Sequence, residues 1–313
     1  MNKILALSIA TLLMLFIFIT AGCQFLDAEP DSDEILYSEQ KIDQVDIADI
    51  AVDYILDYEN GTTAIGELPI GTRIADPTWN WEYRPGYSYS NECPSILEPL
   101  GPGEIKPVTW IIVANDHYDI PESHVTLMAE EVIGLYSFDG TPESARFDDY
   151  MGHNHWGNSG TTDSIPGLRP WLNSTGSFSD EGFYQAFSES FKNSIITTDV
   201  PNREWETGDH YYTRDNVFIP STTELGDTDH FYSYQIGTTY SYFSDASSID
   251  RSASLDYEPT DYWTRTPASY SEERIFLVRS NGNFNDVQPY DWTNGVRPVV
   301  NVRPDVMVSV YEK

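Results

Sequence analysis

Val108-Thr109-Trp110-Ile111-Ile112-Val113-Ala114 is the stretch on which the fold reading turns. Seven uncharged residues, rich in β-branched and aromatic types, fit a strand buried on both faces. Working outward, His124 to Met128 repeats the pattern and predicts a second strand. Ile275 to Val278 and Phe284 to Gln288 flank Ser280-Asn281-Gly282-Asn283, which predicts a hairpin. Val296 to Val302 reads as a closing strand, and Pro298 puts it at an edge or a bulge. Asp46 to Tyr58 fits helix and strand about equally.

Helical signals are fewer. Phe183, Phe187 and Phe191 recur every fourth residue and predict a helix over Gly182 to Ile196, its aromatic stripe facing the core. Ser164-Ile165-Pro166 reads as the start of a short helix carrying Leu168, Trp171 and Leu172. Ser221-Thr222-Thr223-Glu224 has the form of a capping box and predicts another short helical turn. The expected class is therefore α+β, with short twisted strands, a few inserted helices and long loops.

Charge narrows the function. The 313 residues carry 50 Asp and Glu against 17 Lys and Arg, a net charge of −33 that repels phosphate backbones. No nucleic-acid partner is expected. Aromatic residues make up 14% of the chain, too many for a disordered acidic tail.

The N-terminus reads as an export signal. Lys3 precedes an apolar run from Ile4 to Ile19, short for a membrane-spanning helix. Thr20-Ala21-Gly22-Cys23 then resembles a bacterial lipobox, whose cysteine takes a diacylglycerol. The expected organisation is a signal peptide over 1–22, an acidic tether over 23–45 and one domain over 46–313. Lipid on Cys23 would hold the protein in the bilayer of a bacterial cell membrane, facing away from the cytoplasm. With Cys23 lipidated, Cys93 has no intrachain disulfide partner.

A series of landmarks then appears in order. They are Val108-Thr109-Trp110, Asn158-Ser159, Leu168-Arg169-Pro170-Trp171-Leu172-Asn173, Phe187-Ser188 and Val217-Phe218-Ile219-Pro220-Ser221. Trp263-Thr264-Arg265-Thr266-Pro267 and Gly295-Val296-Arg297-Pro298 complete the set. Over roughly Ile65 to Val302 the chain resembles the bacterial family called domain of unknown function 6273. That family is similar in turn to the C-type-lectin-like fold of formylglycine-generating enzymes, so the resemblance implies a C-type-lectin-like α+β domain. It implies no activity. Formylglycine generation needs a cysteine pair on copper, which the mature chain lacks.

Within those motifs Arg265 and Arg297 are expected to bind carboxylates or carbonyls, with Trp263 and Arg265 sharing a strand face. Gly152-His153-Asn154-His155-Trp156-Gly157-Asn158-Ser159-Gly160 is the densest polar-aromatic patch. On a strand, His153 and His155 would share a face and could offer two metal nitrogens. A third ligand from His117, His124 or Asp163 would have to come through the fold. Gly157-Asn158-Ser159-Gly160 resembles a serine-protease nucleophile loop, but the spacing to His117 does not suit that fold. No HExxH, GxSxG, Walker loop or GxGxxG occurs.

No cofactor is expected, with calcium the one possible ion. Asp227, Asp229 and the stretch from Asp245 to Asp250 cluster oxygens but lack EF-hand spacing. Aromatics near hydrogen-bonding groups suit a sugar ring, which has apolar and hydroxyl faces. The expected function is non-catalytic recognition of carbohydrate or a cell-envelope polymer. The expected ligand-binding residues are His153, His155, Trp156, Asn158, Trp263, Arg265, Trp292, Asn294 and Arg297, with none assigned as catalytic. The alternatives are a metal-dependent or hydrolytic enzyme around His153 and His155, and a structural protein–protein interaction module.

Overall fold

Thr109–Asn115 is a strand buried along all but its last residue, and it sits inside the largest sheet. The computed structural model describes residues 52–83, 87–89, 97–99, 104–139, 154–157, 167–176, 182–228, 232–291 and 293–312. Apart from Tyr89, these fall in one compact unit spanning 45–88 and 97–313. The export signal, Cys23, the tether and Cys93 lie outside the described residues.

Seven strands line up in the order Val299–Val302, Val125–Ala129, Thr109–Asn115, Arg73–Ala75, Tyr54–Leu56, Met307–Val310 and Thr63–Ala64. All neighbours are antiparallel except Tyr54–Leu56 with Arg73–Ala75. Pro298 precedes the edge strand, where a missing N–H costs no ladder bond. Within the ambiguous segment Asp46 to Tyr58, Tyr54–Leu56 is strand, and residues 46–51 lie outside the described residues. A second sheet joins Tyr262–Pro267, Ile275–Val278 and Phe284–Val287, with the expected hairpin in register Val278 to Phe284. Its turn passes through Gly282 at φ +78°, close against the Ser248 carbonyl.

The α+β, C-type-lectin-like expectation is corrected here. Among the described residues the α-helices are Leu168–Asn173, Glu189–Ser194 and Ser248–Arg251, none longer than six residues, against eighteen strands. The fold is β-rich and sandwich-like. The continuous helix over Gly182 to Ile196 is the largest single difference. It splits into a 3-10 turn, Tyr184–Ala186, and Glu189–Ser194, with Phe187 and Ser188 extended between them. Ser188 caps the second piece by accepting from Phe191 N at 3.2 Å and donates to Asp76 Oδ2 at 3.0 Å. A serine that finds such partners favours a cap over a helix interior. The phenylalanine stripe still packs inward: Phe187 meets Trp79 and Trp110 edge-on, and Phe191 meets Trp110. Each such ring contributes about 1.5–3 kcal/mol by leaving water.

The capping-box segment also differs. Ser221 N donates to Glu224 Oε2 at 2.9 Å and Glu224 N to Ser221 Oγ at 3.1 Å, so the reciprocal bonds form. Turns follow, not a helix. The Glu224 carboxylate is committed elsewhere.

Candidate functional site

Glu224 lies wholly inside the protein, opposite Arg265. Arg265 reaches it with both terminal nitrogens, Nη1 at 2.6 Å from Oε2 and Nη2 against Oε1. The same guanidinium donates to the carbonyls of Ile219 (2.7 Å) and Pro201 (3.2 Å) and lies over Phe218. The Tyr118 and Tyr240 hydroxyls are 2.6 Å apart, and each is 3.0 Å from a Glu224 oxygen. Two hydroxyl protons thus serve three contacts. Burial opposes charge on Glu224, but the Arg265 charge and hydrogen bonds outweigh it and hold the carboxyl below its usual range. Burial, then the neighbouring carboxylate, pushes both tyrosines well up. His117, half-buried with its ring 4.5 Å from that of Tyr240, lies between this network and solvent.

Several other residues expected to touch ligand are equally enclosed. Trp156 is fully buried and donates its indole N–H to Asp215 at 2.9 Å. Trp263, also buried, donates to the Tyr136 carbonyl at 2.6 Å. Arg297 donates to the Ala129 carbonyl at 2.7 Å, its guanidinium over Tyr262. These three side chains, with Arg265, hold strands and loops together in the core. Asn294 is buried beside a surface groove. His153, Asn158 and Trp292 lie outside the described residues.

Among the described residues of that set, His155 is the one that reaches a surface. Its ring stacks on Tyr211 at 4.2 Å and 7°, and Nε2 lies 2.8 Å from Glu204 Oε2. Both partners come from one hairpin, Thr198–Arg203 paired with His210–Asp215. Alternation drives it. Thr198, Val200, Asn202, Thr213 and Asp215 point inward, while His210, Tyr212 and Arg214 face water. Gly208, at φ +71°, supplies the left-handed residue of the loop. The sequence reading overlooked this hairpin. Its signal was two alternating runs around Thr207-Gly208.

Three further segments join the hairpin. Arg203 donates to Gln235 O, and Tyr234 Oη donates to Trp205 O at 2.8 Å. Asn154, beside His155, donates to the carbonyls of Ser271 and Arg274 at 2.7 and 2.6 Å. Ser269 N donates to Tyr232 O, which brings Tyr232 and Tyr270 into edge-to-face contact at 5.4 Å. Tyr270 Oη meets Asp286 Oδ2 at 2.5 Å. Tyr212, Tyr232 and Tyr270 each expose half or more of their surface. These bonds tie together the segments that carry His155, Tyr211, Tyr232 and Tyr270, with Glu204 and Asp286 beside the rings; Tyr212 points from the opposite side of its strand.

Metal chemistry finds little support in the described residues. No group of three or more His, Cys, Asp or Glu is placed there to hold an ion. His124 is buried: its Nε2 accepts from Tyr118 N at 3.1 Å, which leaves Nδ1–H for the Glu122 carbonyl. Asp250 is occupied by Ser247 in a capping box. No described helix is long and apolar enough to cross a membrane.

No curated protein and no solved structure matches the chain. Residues 122–304 match the family model described as Domain of unknown function (DUF6273), so Val108-Thr109-Trp110 falls just before the match. On that match over more than half its length, the chain belongs to the DUF6273 family.

Proposed function

We propose that this protein is a non-catalytic binding module that recognises carbohydrate or a cell-envelope polymer. Lipid on Cys23 would hold it on the outward face of a bacterial cell membrane. The observation that carries the reading is the set of aromatic rings His155, Tyr211, Tyr232 and Tyr270, with Glu204 and Asp286 beside them. Tyrosine rings suit the C–H face of a sugar, and carboxylates accept from its hydroxyls. The Arg265–Glu224 pair, by contrast, is sealed from solvent and suits a structural role. Asp250 is spent on a cap, and calcium is not part of the reading.

The test is an array of glycans and cell-wall polymers probed with the full chain in a non-glycosidic detergent, in calcium and again in EDTA. Binding is expected in both, and Tyr211→Ala with Tyr270→Ala should abolish it. Absence of binding in both conditions would remove the carbohydrate reading. Metal mass spectrometry of the same sample addresses the His153 and His155 enzyme alternative, and the lipid on Cys23 is read by intact mass.

A further inference from the structure

A groove of about 350 Å³ lies apart from those aromatic rings, between the small hairpin Ser254–Leu255 with Glu258–Pro259 and the chain at Thr293-Asn294. That size suits a small ligand. Leu135 and Leu255 give it apolar walls, and Asp256 and Glu258 stand at its rim. Asn294 lines it, 4% exposed, and its Nδ2 has no hydrogen-bond partner. A buried amide donor left unpaired is rare in proteins and destabilising, so it asks for an explanation. The Asp256 and Glu258 carboxylates accept no hydrogen bond among the described residues. The two-residue turn between the hairpin strands holds Asp256 and Tyr257 at φ 51° and 67°. Glycine or asparagine suits such a turn far better than tyrosine.

We infer that this groove is a second glycan subsite, separate from the aromatic rings, that takes one pyranose unit. Asn294 Nδ2, covered in the free protein, turns out to donate to a ring or carbonyl oxygen of the sugar, whose hydroxyl or amino donors meet Asp256 and Glu258 and whose C–H face rests on Leu135 and Leu255. The inference rests on the binding-module reading above. The rim charge sets a preference: amino sugars bind best, neutral sugars next and uronic acids worst.

The test titrates the full chain, in a non-glycosidic detergent, with a glucosamine tetramer, cellotetraose and a galacturonate tetramer. The glucosamine tetramer should bind at least tenfold more tightly than the galacturonate. Asn294→Leu keeps the volume and removes the donor, so binding should weaken at least tenfold while the melting temperature holds or rises. Glu258→Gln, at an exposed position, should weaken the glucosamine tetramer about threefold and spare cellotetraose. Unchanged binding in both variants overturns the groove, and the array result for Tyr211 and Tyr270 then stands by itself. No tetramer binding by the parent chain also overturns it, whereas failure of the array as well removes the binding-module reading.

Discussion

Two assemblies in this protein use the same chemical vocabulary, a basic side chain, a carboxylate and tyrosine. Arg265 and Glu224 with Tyr118 and Tyr240 are wholly buried; His155 and Glu204 with Tyr211 are only partly covered. Burial decides what each can do. Inside, every charged atom must find a protein partner, and Glu224 takes five: two guanidinium nitrogens, one backbone N–H and two hydroxyls. Nearer the surface, water can solvate charge, so the His155 cluster need not enclose every polar atom. Complete enclosure is therefore a mark of the structural assembly, and partial exposure of the one proposed to recognise a ligand.

The largest expected effect tests the closed assembly. Glu224→Ala leaves Arg265 charged and unpaired inside the protein, which should cost about 3–5 kcal/mol in urea unfolding. A loss below about 1 kcal/mol would mean that water reaches Arg265 and would erase the contrast. Replacing both partners, Glu224→Leu with Arg265→Met, should recover most of that loss, since apolar residues of similar size often match a buried pair. If the double variant is as unstable as the single one, packing around the pair matters more than its charge.

Acid should act on the same assembly in two stages. The His117 pKa is lowered from 6.5, first by burial, so its contribution is complete above pH 6.5 and fades as pH falls below it. Glu224 is lowered from 4.5, burial being outweighed by Arg265, so its contribution is complete above pH 4.5 and lost below it. Asp76 runs the other way. Burial raises its pKa above 3.8, so its contribution is full below that value and lost as pH rises through the folded one. Melting temperatures from pH 8 to 3 should fall in both stages, and His117→Phe should flatten the first alone.

The open assembly should respond least in stability. His155→Ala and Glu204→Gln should each change unfolding by about 1 kcal/mol, as pairs close to the surface do. Their effect belongs to binding, where at least a tenfold loss on the array is expected. A large stability loss with binding intact would make the His155 cluster a second structural pair.

Much of the β framework was legible in the sequence. Thr109–Asn115, the Ile275–Val278 hairpin and the edge strand after Pro298 follow from runs of apolar residues, a glycine turn and proline's missing donor. The broken helix was not, because the four-residue spacing of Phe183, Phe187 and Phe191 is satisfied by two short pieces once Ser188 finds Asp76. The Ser221-to-Glu224 box was read for its local bonds, yet its carboxylate serves Arg265, 41 residues on.

The sequence by itself determined the acidity, the strand-rich core residues and the family motifs, since these depend on residue type and near neighbours. Tertiary structure alone decided which motif residues face water. Trp156, Trp263, Arg265 and Arg297 are enclosed, while His155 meets a hairpin some fifty residues away in the chain. Exposure is set by contacts between distant segments, and no local periodicity encodes which segments will meet.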